Sequence, residues 1–422
     1  MIIDRRDFLA GVTVGIVALP LALGFAITTG ASPSSGLVTA IVAGIVAAIF
    51  GGSNYQISGP TGAMTVVLVP IVDKYGYSSL FLIGVIAGGL MILMSALRLG
   101  RFIDSVPWAV MEGFTLGIAI IIALQQIPLI FQVEKAMGSH TLNIAFSTFK
   151  NAISGSLNWT SIFLVIFTLT IKRSWPKLKK KLRIKAHLPA SMVAVVFATV
   201  LTQLLDLQLS KIGDLPRIGD LIGEITIPEI PLFSLIYAAV IVALLGGIES
   251  LLSARVADAM AIKRAHQEGN EVTEKHQPNR ELFGQGLATI ASAIAGGMPA
   301  TGAIARTSVN VHSGARTRIS AITHSLFLLA VVLFLGPLVS VIPTAALAGV
   351  LLGTSLRIAN PSSIREAWQT TFEIRTVYLV TAISVVVIDL IWGILIGILL
   401  NELFNRNLKR KKYKKNSQSA GK

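Results

Sequence analysis

Cysteine is absent from the 422-residue sequence, which excludes disulfides, thiolate catalysis and cysteine-ligated metal sites. Charge is scarce as well: only 14% of the residues are charged, whereas 53% are hydrophobic and the mean hydropathy is +0.73. Such a composition is far more apolar than that of a soluble protein. Apolar runs recur from Phe8 to Leu403 and leave no stretch long enough for a separate soluble core. We therefore predict one all-α membrane domain over residues 1–404, followed by a basic tail over residues 405–422.

Signatures of catalysis and of metal binding are missing too. The six histidines form no HExxH or other ligand spacing, and no glycine-rich segment matches a Walker loop. No serine lies in a GxSxG context with a suitable histidine and acid after it. We expect a protein that is not an enzyme, with no catalytic residue, no metal site and no cofactor.

The sequence does contain a series of about fourteen apolar runs, separated by polar residues or by glycine and proline. The predicted spans are 9–28, 36–50, 60–72, 79–97, 107–124, 158–171, 188–204, 232–249, 281–296, 304–312, 319–335, 342–356, 375–388 and 391–404. Several are shorter than the ~20 residues that a helix needs to cross ~30 Å of hydrocarbon. The short spans 3 and 10 predict broken half-helices that extended backbone completes.

Positive charge is sorted along the chain. The formal net charge is +15, and Lys and Arg concentrate after even-numbered spans, whereas the loop after span 7 is acidic. Because cytoplasmic loops carry the excess of Lys and Arg, both termini are predicted to be cytoplasmic, in a plasma membrane expected to be the bacterial inner membrane. The basic segments are short, flank apolar spans and lack interleaved aromatics. They favour contact with membrane lipid, and we expect no nucleic-acid partner.

An internal repeat divides the chain into two halves. Residues 35–52 can be laid without gaps on residues 280–297, and each copy ends in Gly-Gly. An irregular segment follows each copy, at residues 56–62 in one half and 299–306 in the other. Seven spans per half is an odd number, so the pattern predicts two inverted seven-span repeats.

The start of each half-helix is predicted to bind an anion. Irregular backbone at membrane depth is tolerated where it lines a cavity, and the free N–H groups and positive dipole end of a half-helix attract negative charge. The alignment places Thr61 opposite Arg306, so one half offers backbone donors and the other adds a full charge. The alternative is that the glycines of both segments serve only close helix packing.

Two charged residues fall inside predicted spans. Glu249 lies beside Gly-Gly at the end of an apolar run, and Arg306 opens the second half-helix. Each costs roughly 2.5–3.5 kcal/mol at a helix centre, which favours a place in a water-filled cavity and a functional role. Burial favours the neutral form of a carboxyl, so Glu249 is a candidate to bind and release a proton. The alternative is a structural Glu–Arg pair or snorkelling to the interface. Glu112 and Asp389 are interpreted as packing or interfacial residues.

Several strings of residues carry a family resemblance. They are Ala18-Leu-Pro-Leu-Ala-Leu-Gly-Phe-Ala26, Ser35-Gly-Leu, Gly51-Gly-Ser-Asn, Ser58-Gly-Pro-Thr-Gly62, Gly247-Ile-Glu-Ser250, Asn279-Arg-Glu-Leu-x-Gly-Gln-Gly286 and Gly296-Gly. Together, in this order and over nearly the whole chain, they resemble the sulfate permease (SulP) family of anion transporters. Two departures are Val38, where an aromatic often follows Gly-Leu, and the short tail after the last span, from which we expect no STAS domain.

The resemblance implies a core domain (about 8–100 and 232–336) and a gate domain (about 101–231 and 337–404) that move relative to each other as an elevator. It also implies an anion site carried over position by position. The implied substrate-binding residues are Leu21, Phe25, Ser58, Gly59, Pro60, Thr61, Ala303, Ile304, Ala305 and Arg306. The combination of Glu249 with Arg306 resembles that of proton-coupled or exchanging members.

The resulting expectation is secondary active transport of a small anion: sulfate, bicarbonate, chloride or a dicarboxylate. The sequence leaves open whether transport is coupled to a proton or to sodium, whether it is an exchange, and whether the protein forms a homodimer. One competing interpretation is a nucleobase:cation symporter of the same fold, which would need polar side chains that hydrogen-bond to a base edge. Another is an uncoupled anion channel, which would not require Glu249 and Arg306 within the membrane.

Overall fold

The computed structural model describes residues 4–103, 106–138, 141–155, 157–183, 188–213, 230–269, 274–388 and 390–419, and these are helical almost throughout. The first half contains α1 (Arg5–Thr29), α2 (Pro33–Val38), a π-helical turn (Thr39–Ala43), α3 (Gly44–Phe50), α4 (Gly62–Tyr75), α5 (Ser79–Ala96), α6 (Gly100–Ile103), α7 (Trp108–Leu124), α8 (Ile127–Phe131), α9 (Thr141–Ser154), α10 (Trp159–Lys181) and α11 (Ala190–Leu204). The second half contains α12 (Leu232–Gln267), α13 (Pro278–Ile294), α14 (Ile304–His312), α15 (Ile319–Ser340), α16 (Thr344–Ile358), α17 (Pro361–Gln369), α18 (Phe372–Val387) and α19 (Leu390–Ser419). Two short strands are β1 (Ser58–Gly59) and β2 (Thr301–Gly302).

A helix lies in each of the fourteen predicted segments, and within the described ranges six helical runs are long and apolar enough to cross a membrane. The largest difference from the prediction is α12, which continues past Glu249 to Gln267. Its extension is rich in alanine and free of proline, so nothing in the sequence ends the helix there. The Gly246-Gly247 pair does not interrupt α12. Asp389 and the acidic residues between 214 and 229 lie outside the described residues.

The two halves meet in a two-stranded antiparallel pairing at the centre of the fold. Ser58 lies opposite Gly302, and Gly59 lies opposite Thr301. Each strand leads into a short helix, α4 of 14 residues and α14 of 9 residues. At 1.5 Å per residue neither helix is long enough to cross ~30 Å of hydrocarbon by itself. Thr61 lies immediately before α4, whereas Arg306 lies within α14, because the connection after Gly-Gly is shorter in the second half.

Small residues let α5 and α13 approach closely. A Cβ built on Gly88 would lie 2.5 Å from the carbonyl oxygen of Gly286, and one built on Gly286 would lie 2.7 Å from the carbonyl oxygen of Gly88. Close backbone approach of this kind is how helices gain van der Waals contact in a bilayer, where no hydrophobic force drives them together. The crossing joins the two halves through one helix from each.

The helices pack in two groups. In one group α5 packs on α13 and α12, and α1 packs on α15; in the other group α7 packs on α18, and α10 packs on α16 and α11. Contacts of α4 with α7 and of α1 with α16 join the groups. The ends of α4 and α14 that face β1 and β2 lie in the first group, beside its boundary with the second.

Candidate functional site

The site begins with two helix starts that face each other across β1 and β2. Thr61 precedes α4, and its Oγ1 accepts a hydrogen bond from the backbone N–H of Met64 at 3.3 Å. Ala303 precedes α14, and no side chain in the described ranges caps that start. The first N–H groups of a helix have no partner within the helix, so the α14 start offers donors to an anion.

A cavity of about 690 Å³ lies against both helix starts. Eight of the ten predicted binding residues line it, and Glu249 does as well. The eight are Leu21, Phe25, Pro60, Thr61, Ala303, Ile304, Ala305 and Arg306. The opposite wall comes from α7 and α16, where Ile118, Ile122 and Thr354 lie. The cavity therefore lies at the boundary between the two helix groups, and the role of these residues in anion binding stays a prediction.

Arg306 is the charged donor of the site, and its side chain is only 1% exposed. Its Nη2 donates a hydrogen bond of 2.8 Å to the carbonyl oxygen of Pro60. Its Nη1 has no hydrogen-bond partner within the described part of the chain. A buried guanidinium donor without a partner is costly unless a ligand satisfies it. The arrangement suits an oxyanion that Arg306 and the start of α14 bind together.

Ser58 and Gly59, the other two predicted residues, lie behind the cavity wall. Gly59 has φ 148°, and a Cβ at this position would lie 2.8 Å from Nη1 of Arg306. Glycine is therefore required both by the backbone conformation and by the place of the guanidinium. Ser58 is 1% exposed, and its Oγ accepts a hydrogen bond from Nε2 of Gln285. These two residues support the site without lining it.

Glu249 reaches the cavity from α12, and it is only 9% exposed. The hydroxyls of Thr61 and Thr301 both donate to its Oε2, at 2.8 Å and 2.7 Å. The two hydroxyl oxygens are 3.0 Å apart. Since Thr61 precedes α4 in the first half and Thr301 lies in β2 of the second, one carboxylate oxygen joins the two halves.

The sequence interpretation missed the residue that holds the first irregular segment. Glu281, which is 1% exposed, accepts backbone hydrogen bonds at Oε2 from Gly52 at 2.7 Å and Ser53 at 2.9 Å. Its Oε1 accepts from Nε2 of Gln56 at 2.8 Å and from Nε2 of Gln285 at 2.9 Å. Glu281 and Gln285 lie in the string Asn279-Arg-Glu-Leu-x-Gly-Gln-Gly286, which was the signal available in the sequence, whereas Gln56 lies in the first irregular segment. The string builds the support of the site.

The second irregular segment is held by a residue of the first half. Thr39, in the π-helical turn, accepts a hydrogen bond at Oγ1 from the backbone N–H of Met298 at 2.7 Å. The hydroxyl of Ser292 donates to the carbonyl oxygen of the same residue at 2.7 Å. Each half therefore fixes the segment that precedes the half-helix of the other.

Glu112 and Arg357 line the cavity, although the sequence interpretation assigned neither of them to the site. Glu112, interpreted as a packing or interfacial residue, lines the cavity from α7. Arg357 lines it from the end of α16, with His312 and Asn360 nearby. Among the described residues, no group of three or more His, Asp or Glu side chains could hold a metal ion.

Comparison with known protein sequences gives a consistent result. The sequence profile described as the sulfate permease family matches residues 5–381. YvdB of Bacillus subtilis, described provisionally as a sulfate transporter, is 35% identical over 408 residues, which cover 95% of this chain and 73% of that protein. The bicarbonate transporter BicA of Picosynechococcus sp. is 30% identical over 414 residues, which cover 93% of this chain and 69% of that protein.

Solved structures share the fold. The transmembrane domain of a cyanobacterial bicarbonate transporter BicA has a TM-score of 0.76 at 28% identity and covers 94% of this chain and 97% of its own. The murine anion transporter Slc26a9, in its inward-facing state, has a TM-score of 0.80 at 16% identity and covers 97% of this chain and 69% of its own. The fold is thus that of a multi-pass helical membrane transporter.

Proposed function

The chain belongs to the sulfate permease family, whose members are transporters and not enzymes, and from this premise we propose that it carries a small anion across the membrane by secondary transport. One observation carries the proposal: the unpartnered Nη1 of buried Arg306 and the uncapped start of α14 lie at one cavity. A carrier needs such a desolvated donor set, because it must replace the hydration of its substrate.

Sulfate and bicarbonate are the first candidate substrates, and chloride and dicarboxylates are the second. The names of YvdB and BicA support the first two. Chemistry supports oxyanions as well, because a guanidinium presents parallel N–H donors that match two oxygens of one anion. A spherical chloride ion would use only part of this geometry.

The architecture we propose is fourteen spans in two inverted seven-span repeats. The helix group of α1, α5, α12, α13 and α15, with both half-helices, would be the core, and the group of α7, α10, α11, α16 and α18 the gate. The cross-half pairing of β1 with β2 and the place of the cavity between the groups support this division. In an elevator motion the core would carry Arg306 and its anion past the gate wall at Ile118 and Ile122.

Glu249 is the coupling residue in this proposal. The donation by Thr61 and Thr301 to the same oxygen suits an unprotonated Oε2, because a proton on Oε2 would itself need an acceptor. Protonation would turn one hydroxyl toward the other, whose oxygen is 3.0 Å away. A proton on Glu249 would also offset the charge of an anion on Arg306. Sodium, which prefers oxygen ligands, is the second candidate for the same three oxygens.

The orientation follows from the sorting of charge. We propose that both termini are cytoplasmic and that the membrane is the bacterial inner membrane, because Lys and Arg concentrate after even-numbered spans. The side of the cavity where His312, Arg357 and Asn360 lie would then face the cytoplasm.

The test is reconstitution in liposomes with labelled sulfate and bicarbonate, with and without pH and sodium gradients. We expect saturable uptake that R306Q abolishes and that K263Q, which removes an exposed cation from α12, leaves in place. Uptake of labelled uracil without uptake of either anion would favour a nucleobase symporter. Anion conductance that neither gradient drives would favour an uncoupled channel.

A further inference from the structure

A second cavity, of about 750 Å³, lies between α1, α10, α11 and α16. None of the predicted site residues lines it. Among the described residues, the two cavities share Val309 and Arg357 in their linings. The proposed transport function does not use this space.

The walls of this second cavity are strongly basic. Lys172, Arg173, Lys179 and Arg357 line it, and no Asp or Glu is among its described lining residues. Within the described ranges none of these four cations forms an ion pair. Cations that line one cavity without a counter-charge repel one another, and a bound anion would reduce that cost.

Lys172 is built into the cavity wall. Its Nζ donates to the carbonyl oxygen of Val350 at 2.6 Å and to Oγ1 of Thr354 at 2.7 Å. An ammonium has three N–H donors, so one remains for a ligand. A Cβ on Gly353 would lie 2.9 Å from Cδ of Lys172, so this glycine makes room for the lysine stem. The ammonium is therefore held in place by α16.

Polarity changes along the cavity. On α10 the lining runs from Leu169 and Thr170 to Lys172 and Arg173, and then to Lys179 near the helix end. At the apolar end, Val17 of α1 also lines the space and packs in one cluster with Val350 and Leu351 of α16. A small inorganic anion would use the basic end only, whereas an amphipathic anion would use the basic end and the apolar end together.

We propose that this cavity binds an anionic phospholipid, with the phosphate group at Lys172, Arg173 and Lys179 and an acyl chain along Leu169 and Val17. The ligand would enter from the leaflet at the basic end of α10. Membrane lipid is present wherever the protein works, and the order of basic and apolar residues matches that of headgroup and chain.

A lipid bound here would contact both helix groups. Thr13 and Val17 of α1 and Val309 of α14 belong to one group, whereas α10, α11 and α16 belong to the other. If the groups move as core and gate, which rests on the proposed function, the lipid would favour the arrangement in which this cavity is open. It would then act as a regulator of transport.

Binding is tested without transport, so that the lipid site and the proposed function can fail separately. Native mass spectrometry of detergent-purified protein incubated with equal phosphatidylglycerol and phosphatidylcholine measures which lipid is retained. We expect phosphatidylglycerol to be preferred, and K172Q and the double variant R173Q/K179Q to weaken its retention by about fivefold per removed charge. The double variant leaves the hydrogen bonds of Lys172 in place, so it separates lost binding from lost folding.

The matched control is K180Q, on the same helix and with the same loss of charge but outside the cavity lining. Equal retention of both lipids, or equal loss in K180Q, would overturn the proposal. Inorganic phosphate is the third arm: if it displaces phosphatidylglycerol and binds lipid-free protein with the same dependence on Lys172, the ligand is a free anion and the lipid assignment is wrong.

Discussion

The guanidinium of Arg306 is bonded to the carbonyl oxygen of Pro60 at 2.8 Å, so the charge of the second half-helix is held by the residue just before Thr61 in the first. This bond fixes Nη2 and leaves Nη1 without a partner in the described part of the chain. The proposed substrate binding, the cross-half contact and the need for glycine at position 59 therefore all involve this one side chain.

Replacement of Arg306 by lysine should weaken anion binding although the charge is kept. An ammonium on a shorter stem cannot reach Pro60 and present a second, parallel donor at once. A lost charge-assisted hydrogen bond costs about 1.5–3 kcal/mol, which corresponds to a rise of about 10- to 100-fold in the KM for sulfate or bicarbonate uptake. The comparison is with K263R; an unchanged KM in R306K would contradict the assignment.

Replacement of Gly59 by alanine should displace the guanidinium and abolish most uptake. The added Cβ would lie 2.8 Å from Nη1 and 3.3 Å from Nη2 of Arg306, on a backbone with φ 148°. Gly76 also has a positive φ, 79°, but has no atom within 4 Å of a built Cβ, so G76A tests backbone strain alone. We expect liposome uptake to survive in G76A and not in G59A.

Replacement of Glu249 by glutamine should remove the effect of a pH gradient on uptake and leave counter-exchange of labelled anion measurable. Glutamine keeps the shape of the side chain but binds no proton in the physiological range. Glu366, an exposed carboxyl on α17, provides the control variant E366Q. Unchanged pH dependence in E249Q would contradict a role of Glu249 in proton coupling, and loss of a dependence on the sodium gradient in E249Q would identify sodium as the coupling ion.

Replacement of Glu281 by alanine should destabilise the protein and disturb the site together. It leaves the N–H groups of Gly52 and Ser53 and the amide of Gln56 without their acceptor in a buried place. We expect a loss of about 3 kcal/mol or more, measured by thermal unfolding in detergent. Glu274 accepts a single exposed bond from Asn54, so E274A should change the melting temperature little.

Alanine at Gly88 should separate α5 from α13, because the new Cβ would lie 2.5 Å from a backbone oxygen that cannot turn away. The neighbouring Gly89 has no atom within 4 Å of a built Cβ. G89A should therefore be neutral or slightly stabilising, by helix propensity alone. Equal melting temperatures of G88A and G89A would argue against the close crossing.

Local chemistry explains what the sequence could predict. Short apolar runs after Gly-Gly, with proline and glycine in one and a charge in the other, indicated two helices that begin inside the membrane. The structure has a strand and a short helix at both places. The aligned pair Thr61 and Arg306 was less accurate, because the alignment without gaps ignored the shorter second connection.

Long-range contacts explain what the sequence could not predict. Glu281 and Gly52 are 229 residues apart, and no local pattern says that a carboxylate near a helix start will bind the backbone of another half. The position of Glu112 at the cavity could not be predicted for the same reason, since it depends on how α7 packs against α4. The length of α12 was underestimated because its end is marked by neither proline nor an early glycine.

The pairing of β1 with β2 also sets an order for biosynthesis. Thr61 and Thr301 touch although 240 residues separate them. At about 5–20 residues per second a ribosome needs roughly 10–50 seconds to make that interval. During this time α4 is too short to cross the bilayer, and the N–H and C=O groups of Ser58 and Gly59 lack the strand that pairs with them. The unpaired backbone groups before the first half-helix therefore need another partner until the second half has been made. The first half completes its fold only when β2 of the second half is present to pair with β1.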